Sequence, residues 1–319
     1  MKRIARSKAN KYEFDHRHEP AFSVKPGESF VVETEDACNG CLRSADVLPL
    51  PENLPFTDAT PARGNPMGGP VYVEGAQKGD LLAVTIEQIL VDDQGMTAIF
   101  PGTGPLADSA KWRSAAQPYT HIIRHLPGPS GTMRDGEGVF NDRVRWRLQP
   151  FIGTMGVAPE REVESSAVGQ GPWGGNLDCR EFKQGATVFF NCYHPGGLLY
   201  LGDVHATQGD TEFYGTADET RAEVRLRCAV VKAKRAAFVR VEKPESIVSV
   251  YSYRPLEQAV ESAILDLMSW MVEDFGLTER EAYMHACINP EFRVHVYQMV
   301  RIGRIQYTAG AEIPRKYLV

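Results

Sequence analysis

The chain has 319 residues, 43% hydrophobic and 24% charged, with 35 Lys and Arg against 41 Asp and Glu for a formal net charge of -6. This balance suits one globular unit spanning residues 1–319 and excludes a disordered or low-complexity chain, while the negative charge offers no general attraction to phosphate backbones, so no nucleic-acid partner is expected. The basic start MKRIARSKANKYEF lacks an apolar run, and nowhere do about eighteen apolar residues follow one another, so neither export nor a membrane partner is expected and the setting is cytoplasmic.

The first third reads as short strands separated by turn residues: SFVVET after Lys25-Pro26-Gly27, VYVE after Gly68-Gly69-Pro70, and LLAVTIEQIL after Lys78-Gly79-Asp80. Six dispersed cysteines (Cys38, Cys41, Cys179, Cys192, Cys228, Cys287) are too few for a disulfide scaffold, and Cys38-Asn39-Gly40-Cys41 is a CxxC with no second pair to complete a zinc knuckle. Between Ala98 and Asp142, glycine and proline are dense enough to predict long loops over a rigid scaffold. From Ala186 strands return, and Glu223 to Val231 alternates, with Val224, Leu226, Cys228 and Val230 on one face and Glu223, Arg225 and Arg227 on the other. AAFVRVE and SIVSVYS continue the series.

Helical spacing enters only at Glu257 to Phe275, where Ala259, Ala263, Leu267, Trp270, Met271 and Phe275 share one side and Gly276 is a natural stop. Thr278-Glu279-Arg280-Glu281 is a capping-box signature for a second helix. FRVHVYQMV then predicts a strand with Phe292, Val294 and Val296 inward and His295 on the opposite face. The expected fold is therefore mainly β, a β-sandwich-like core with long glycine- and proline-rich loops and a helical hairpin near the C-terminus.

Chemistry-bearing side chains concentrate between Gly174 and Glu212, where Asp178, His194, Asp203, His205, Asp210 and Glu212 are interleaved with glycine and proline. Asp203-Val204-His205 places two potential ligands at a spacing of two, which on an extended segment turns both to one face. Asp210-Thr211-Glu212 repeats that spacing, and a loop between Ala206 and Gly209 can fold the pairs together. One imidazole and three carboxylates suit zinc, manganese or another divalent first-row ion. A purely structural reading treats Asp203 and Asp210 as turn residues following glycine.

GGNLDCREFKQG and GDVHATQGDTE resemble the signature of the acetamidase/formamidase family, and KPGESFVVETEDA, NPMGGPVYVEGAQKGDLLAVTIEQI and PFIGTMGVAPE agree in order along nearly the whole chain. The resemblance implies a mainly β fold, hydrolysis of a small linear amide to a carboxylate and ammonia, homo-oligomerisation, and a divalent metal, zinc. It places Asn176 and Asp178 in one motif and Asp203, His205, Gln208, Asp210 and Glu212 in another. Two positions depart from the family pattern: Thr211 replaces a glycine, and His194-Pro195-Gly196-Gly197-Leu198 replaces a small apolar approach.

On this basis Asp178, Asp203 and His205 are the expected metal ligands, Glu212 the general base and then acid, Asp210 a carboxylate able to exchange roles with it, and Asn176 a donor to the developing oxyanion. His194, Thr211 and Trp173 are the expected substrate-binding residues. Two rivals stand: a thiolate nucleophile at Cys179 or Cys192, with His194 as base, and a non-catalytic β protein that binds a small ligand around a structural ion. Arg63 and Asn65, beside glycines, are candidate pocket residues; His16 and His18 are assigned to a solvated loop, and His121 and His125 to structure.

Overall fold

The structure, a computed structural model, describes residues 1–60 and 63–318. Among the described residues eighteen strands form one large curled sheet and two more a small separate pair, so the architecture is mainly β as expected. The clearest sequence alternation lies at its centre. Strand Glu219–Val231 pairs with Leu81–Ile99 on one side and Ser29–Thr34 on the other, setting Val224 against both Ile89 and Val32. Ala222, Val224, Leu226 and Cys228 are buried on its inner face.

Strand Leu81–Ile99 runs well past the predicted LLAVTIEQIL, and the stretch read as loops from Ala98 to Asp142 also carries strands Tyr119–Leu126 and Glu137–Val139. Polar residues on their outer faces had masked the alternation there. Helices α1 (Leu256–Phe275) and α2 (Glu279–Ile288) form the expected hairpin, with Gly276 at φ 72° ending the first and a complete Thr278–Glu281 capping box opening the second. Ala263, Leu267, Trp270 and Met271 pack on Ile247, Ala311 and Ile313 of the sheet. Among them lies Asp266, buried because Arg240 meets it with two hydrogen bonds, at 2.9 and 3.1 Å.

The strand Arg293–Gln298 reverses its expected faces. Val294 is 45% exposed, whereas Tyr297 and Gln298 are buried, and His295 turns in to Glu312 at 2.6 Å. A register shift between Val296 and Gln298 lets both Tyr297 and Gln298 turn inward, and Lys243, 2.7 Å from Glu312, joins the half-buried His295 in a polar network around that carboxylate.

Two fully buried strands carry the site. Phe151–Val157 lies antiparallel to Leu199–His205, with Phe151 opposite His205 and Thr154 opposite Gly202, and Gly174–Asn176 flanks the first of them. Glu219, the first residue of the central strand, lies directly opposite His205. No helix of the described residues is long and apolar enough to cross a membrane.

Candidate metal centre

Five buried side chains from separate parts of the chain converge where these strands end. His205 Nε2 lies 3.3 Å from Asp203 Oδ1, 3.2 Å from Glu219 Oε2 and 3.9 Å from Asp178 Oδ1. Ligand atoms of Asp178, His205 and Glu212 all fall within 4.8 Å of one another, as do those of Asp203, His205 and Glu219. Asp178 follows the short strand Gly174–Asn176, and Glu212 ends the 3-10 turn Asp210–Glu212.

Backbone geometry is distorted to bring the acids together. Asp178, Asp203 and Glu212 have φ of 46°, 56° and 45°, a left-handed conformation that costs non-glycine residues about 1–3 kcal/mol and that clusters at functional sites. Asp203 interrupts its ladder opposite Gly153, and a Cβ at Gly153 would lie 2.8 Å from Asp203 Oδ2 and 2.9 Å from Asp178 Oδ1. A glycine there is what lets the two carboxylates approach.

Outer contacts orient the inner ones. Gln208 Nε2 donates to the carbonyls of Asp178 and Tyr297, at 3.1 and 2.9 Å, so its Oε1 faces His205 Nδ1 at 2.9 Å and accepts from Nδ1–H. That contact holds a proton on Nδ1, so Nε2, facing the carboxylates, is the nitrogen whose proton a cation would displace. Asp203 Oδ2 accepts from Asn65 at 2.7 Å and lies 2.9 Å from the Thr154 hydroxyl, while Gln298 donates to Asp178. Glu219 accepts one bond from the Ala217 amide at 3.0 Å, while its other oxygen, Oε2, is buried and, among the described residues, faces only His205 Nε2, at 3.2 Å.

The electrostatics follow from four carboxyl groups buried around one imidazole. Burial pushes Asp178 up to about 6 and Glu219 up to about 7, and burial with the Asp178 charge holds Glu212 well above the usual carboxylate range. For Asp203 burial also acts upward, but the His205 charge and the hydrogen bonds from His205 and Thr154 outweigh it and lower the group. His205 is held well above its usual value: burial opposes, and the charges of Glu219 and Asp203 prevail. Added positive charge would offset the burial that raises Asp178, Glu212 and Glu219 and favour their ionised forms. A buried carboxylate oxygen met only by the His205 ring among the described residues, a cradle that a single Cβ would fill and a mixed nitrogen and oxygen donor set fit a divalent cation.

The structure thus brings Asp178, Asp203, His205 and Glu212 together and leaves other expected residues elsewhere. Asp210 does not join them: its side chain is 60% exposed and pairs with Arg180. Residues 210 to 212 form a turn with Thr211 at φ 75°, so the strand parity that would put Asp210 and Glu212 on one face does not hold. Thr211, half-buried beside Glu212, accepts from the Met299 amide at 2.8 Å through its carbonyl. Asn176 accepts from Thr154 at 3.0 Å and donates to the Ala167 carbonyl at 2.8 Å, so it clasps the strands beneath Asp203.

His194 lies beyond the opposite end of strand Leu199–His205, its Nε2 2.7 Å from the Pro159 carbonyl and its ring stacked on His16 at 4.5 Å. Trp173 is buried in the core against Phe14, with centroids 4.7 Å apart. Neither meets the cluster. Cys192 is buried, and burial pushes its thiol up to about 12; Cys179 is raised in the same way, so burial works against a thiolate at either, and neither is among the residues lining the cavity. His125 is buried against Asp218 at 3.2 Å, and His18 contacts Tyr200 at 3.1 Å.

Sequence reasoning missed Glu219, Gln298, Thr154 and Gly153. Glu219 shares the parity of Glu223, which points out, but a bulge between Thr220 and Ala222 turns it inward. Beside the cluster opens a cavity of about 930 Å³, lined by Gln208, Glu212, Asp218, Arg180, Phe140 and Trp146 among others. Glu212 and Gln208 thus belong to both the buried cluster and the open cavity.

A sequence model described as the Acetamidase/Formamidase family matches residues 3–171 and 165–316. The chain is 28% identical to "Acetamidase" of Mycolicibacterium smegmatis over 243 residues, which cover 60% of this chain and 58% of that protein. It is 25% identical to "Formamidase" of Methylophilus methylotrophus over 247 residues, 59% of this chain and 56% of that one. The chain therefore spans less than two thirds of the length of the curated relatives it matches.

Solved structures extend the likeness. An acetamidase from Bacillus halodurans superposes with a TM-score of 0.85 at 28% identity, covering 99% of this chain and 98% of that one. One from Yersinia enterocolitica gives 0.85 at 30% identity, covering 98% and 91%. A gamma lactamase from Delftia acidovorans, at 19% identity and a TM-score of 0.59, shares the fold alone. With the family model matching nearly its whole length and solved acetamidases superposing on nearly every residue, this chain belongs to the acetamidase/formamidase family.

Proposed function

We propose that this protein hydrolyses the carbon–nitrogen bond of a linear amide, yielding a carboxylate and ammonia, with one divalent ion, zinc by its donor set, held by Asp178, Asp203, His205 and Glu219. One observation carries the reading: His205 Nε2, the nitrogen left to the cluster by the Nδ1–H bond to Gln208, faces three buried carboxylates from separate parts of the chain, at 3.2, 3.3 and 3.9 Å. When bound, such an ion supplies a Lewis acid that polarises an amide carbonyl and lowers the pKa of water from about 15.7 toward about 7.

The remaining steps belong to the chain. Glu212, between cluster and cavity, accepts the proton of the attacking water and returns it to the departing nitrogen. Its position suits it to this, because Glu212 is buried against the cluster yet lines the cavity where an amide would enter. Gln208 keeps His205 oriented, and Asn65 and Thr154 keep Asp203 from turning toward solvent. The carbonyl carbon gains the water oxygen, the carbon–nitrogen bond breaks, and the proton held by Glu212 completes ammonia.

Ammonia release from formamide, acetamide and longer linear amides, measured before and after chelation, tests this. The metal-loaded protein should turn over at least one amide, lose that activity on chelation and recover it with zinc. Glu212→Gln should lower kcat about 10²- to 10⁴-fold while retaining metal. A fully loaded protein that releases no ammonia from any amide would sink the reading.

A further inference from the structure

One wall of the cavity carries aromatic side chains that hydrolysis itself does not use. Phe140 and Trp146 line it and continue outward through His121 and Tyr119 as a row across neighbouring strands, with ring centroids 6.3, 4.4 and 5.7 Å apart from Tyr119 inward. Tyr119 is 53% and Phe140 38% exposed, with His121 and Trp146 half-buried between and beyond them, so the row presents aromatic surface to water. Contiguous exposed apolar surface beside a cavity marks a place where something binds.

The inner end of the row is anchored beside the reacting groups. Trp146 Nε1 donates to Thr207 Oγ1 at 3.0 Å, and the next residue, Gln208, is the one that orients His205. Trp146 and Phe140 line the same cavity as Glu212. At about 930 Å³ it sits near the top of the range of roughly 300–1,000 Å³ that small-molecule sites span, and a one- or two-carbon amide would leave most of it to solvent.

We infer that the substrates of this site are primary amides whose acyl group ends in an aromatic ring, the ring stacking on Trp146 and Phe140 while the amide lies at Glu212. This rests on the hydrolase reading and adds the substrate class to it. The rings supply area and offset or edge-on stacking, which favour a planar apolar group over a methyl.

The test compares kcat/KM for phenylacetamide, acetamide and formamide on the metal-loaded protein. Phenylacetamide should lead acetamide at least tenfold, within the discrimination of about 10- to 200-fold that apolar pocket contacts give. Trp146→Ala should lower the phenylacetamide-to-acetamide ratio at least tenfold, chiefly through KM, and Trp146→Phe should restore most of it. Phe140→Ala, at a half-exposed position, should lower the ratio in the same direction should Trp146→Ala fail to fold.

Preference for acetamide or formamide, or an equal fall for all amides in both alanine variants, would overturn the inference while leaving amide hydrolysis standing. An equal fall accompanied by a change of particle mass in light scattering would also overturn it, by making the aromatic row an interface between copies of the chain. Absence of turnover for every amide would instead strike the hydrolase reading, and this inference with it.

Discussion

Gly153→Ala is the smallest change that reaches the centre of the cluster. Gly153 faces Asp203 across the ladder, and the added methyl carbon would sit 2.8 Å from Asp203 Oδ2 and 2.9 Å from both Asp178 Oδ1 and the Asp203 carbonyl oxygen. Carbon and oxygen approach to about 3.3 Å even in favourable C–H···O contacts, so the carboxylates must retreat by roughly 0.5 Å. Metal–ligand distances hold to within about 0.2 Å, so a shift of this size breaks the coordination geometry.

Overpacking of this kind costs about 1–3 kcal/mol, which at about 2–4 °C per kcal/mol lowers Tm by several degrees and leaves the fold intact. Activity should suffer far more, because a misplacement near 1 Å can cost about 10² in rate. The variant should show near-native circular dichroism, reduced bound metal by elemental analysis, and kcat/KM for ammonia release about 10²-fold lower or worse. Native metal content and native turnover would refute the reasoning, since nothing else at Gly153 would explain how the methyl was accommodated.

Gln208→Ala removes the acceptor for His205 Nδ1 and should weaken divalent-metal affinity about 10- to 100-fold in a competitive chelator titration; an unchanged Kd would mean that this contact does not set the tautomer. In the chelated protein, the raised pKa values of Asp178, about 6, and Glu219, about 7, mean that the folded chain holds protons the unfolded chain has lost. That stabilisation is full below about pH 4, the unfolded carboxyl range, and is lost as pH rises through the folded values. Tm of the chelated protein should therefore fall between about pH 5 and 8, with zinc restoring most at the upper end, and a flat or rising profile would contradict the electrostatics. Asp266→Ala leaves the buried Arg240 guanidinium with only the half-exposed Glu273, 3.0 Å away, and its Nε and Nη2 donors unmatched; it should cost about 1–3 kcal/mol in denaturant unfolding, whereas a loss below about 0.5 kcal/mol would show that the helical hairpin does not depend on the pair.

What could be read from the sequence was what repeats at short range. Alternation at Val224, Leu226 and Cys228 revealed the central strand, and Gly276 with the Thr278–Glu281 box revealed the helical hairpin, because each signal lies within a few residues. The spacing of Asp203 and His205 placed both on one face, and the structure keeps them there although Asp203 has left-handed backbone. Asp210 was misplaced because a 3-10 turn, not a strand, carries it, and Glu219 was hidden by a bulge that inverts its parity. Gln298 and the aromatic row depend on pairings between distant segments, as does the inward turn of His295 to Glu312. No local pattern encodes those.

The claim on which the rest depends is that a cation sits among Asp178, Asp203, His205 and Glu219, and elemental analysis of protein purified without a chelating resin tests it most directly. About one divalent ion per chain is expected, absent from a folded His205→Ala variant that also releases no ammonia. Full amide hydrolysis by protein with well under a tenth of an ion per chain would contradict it.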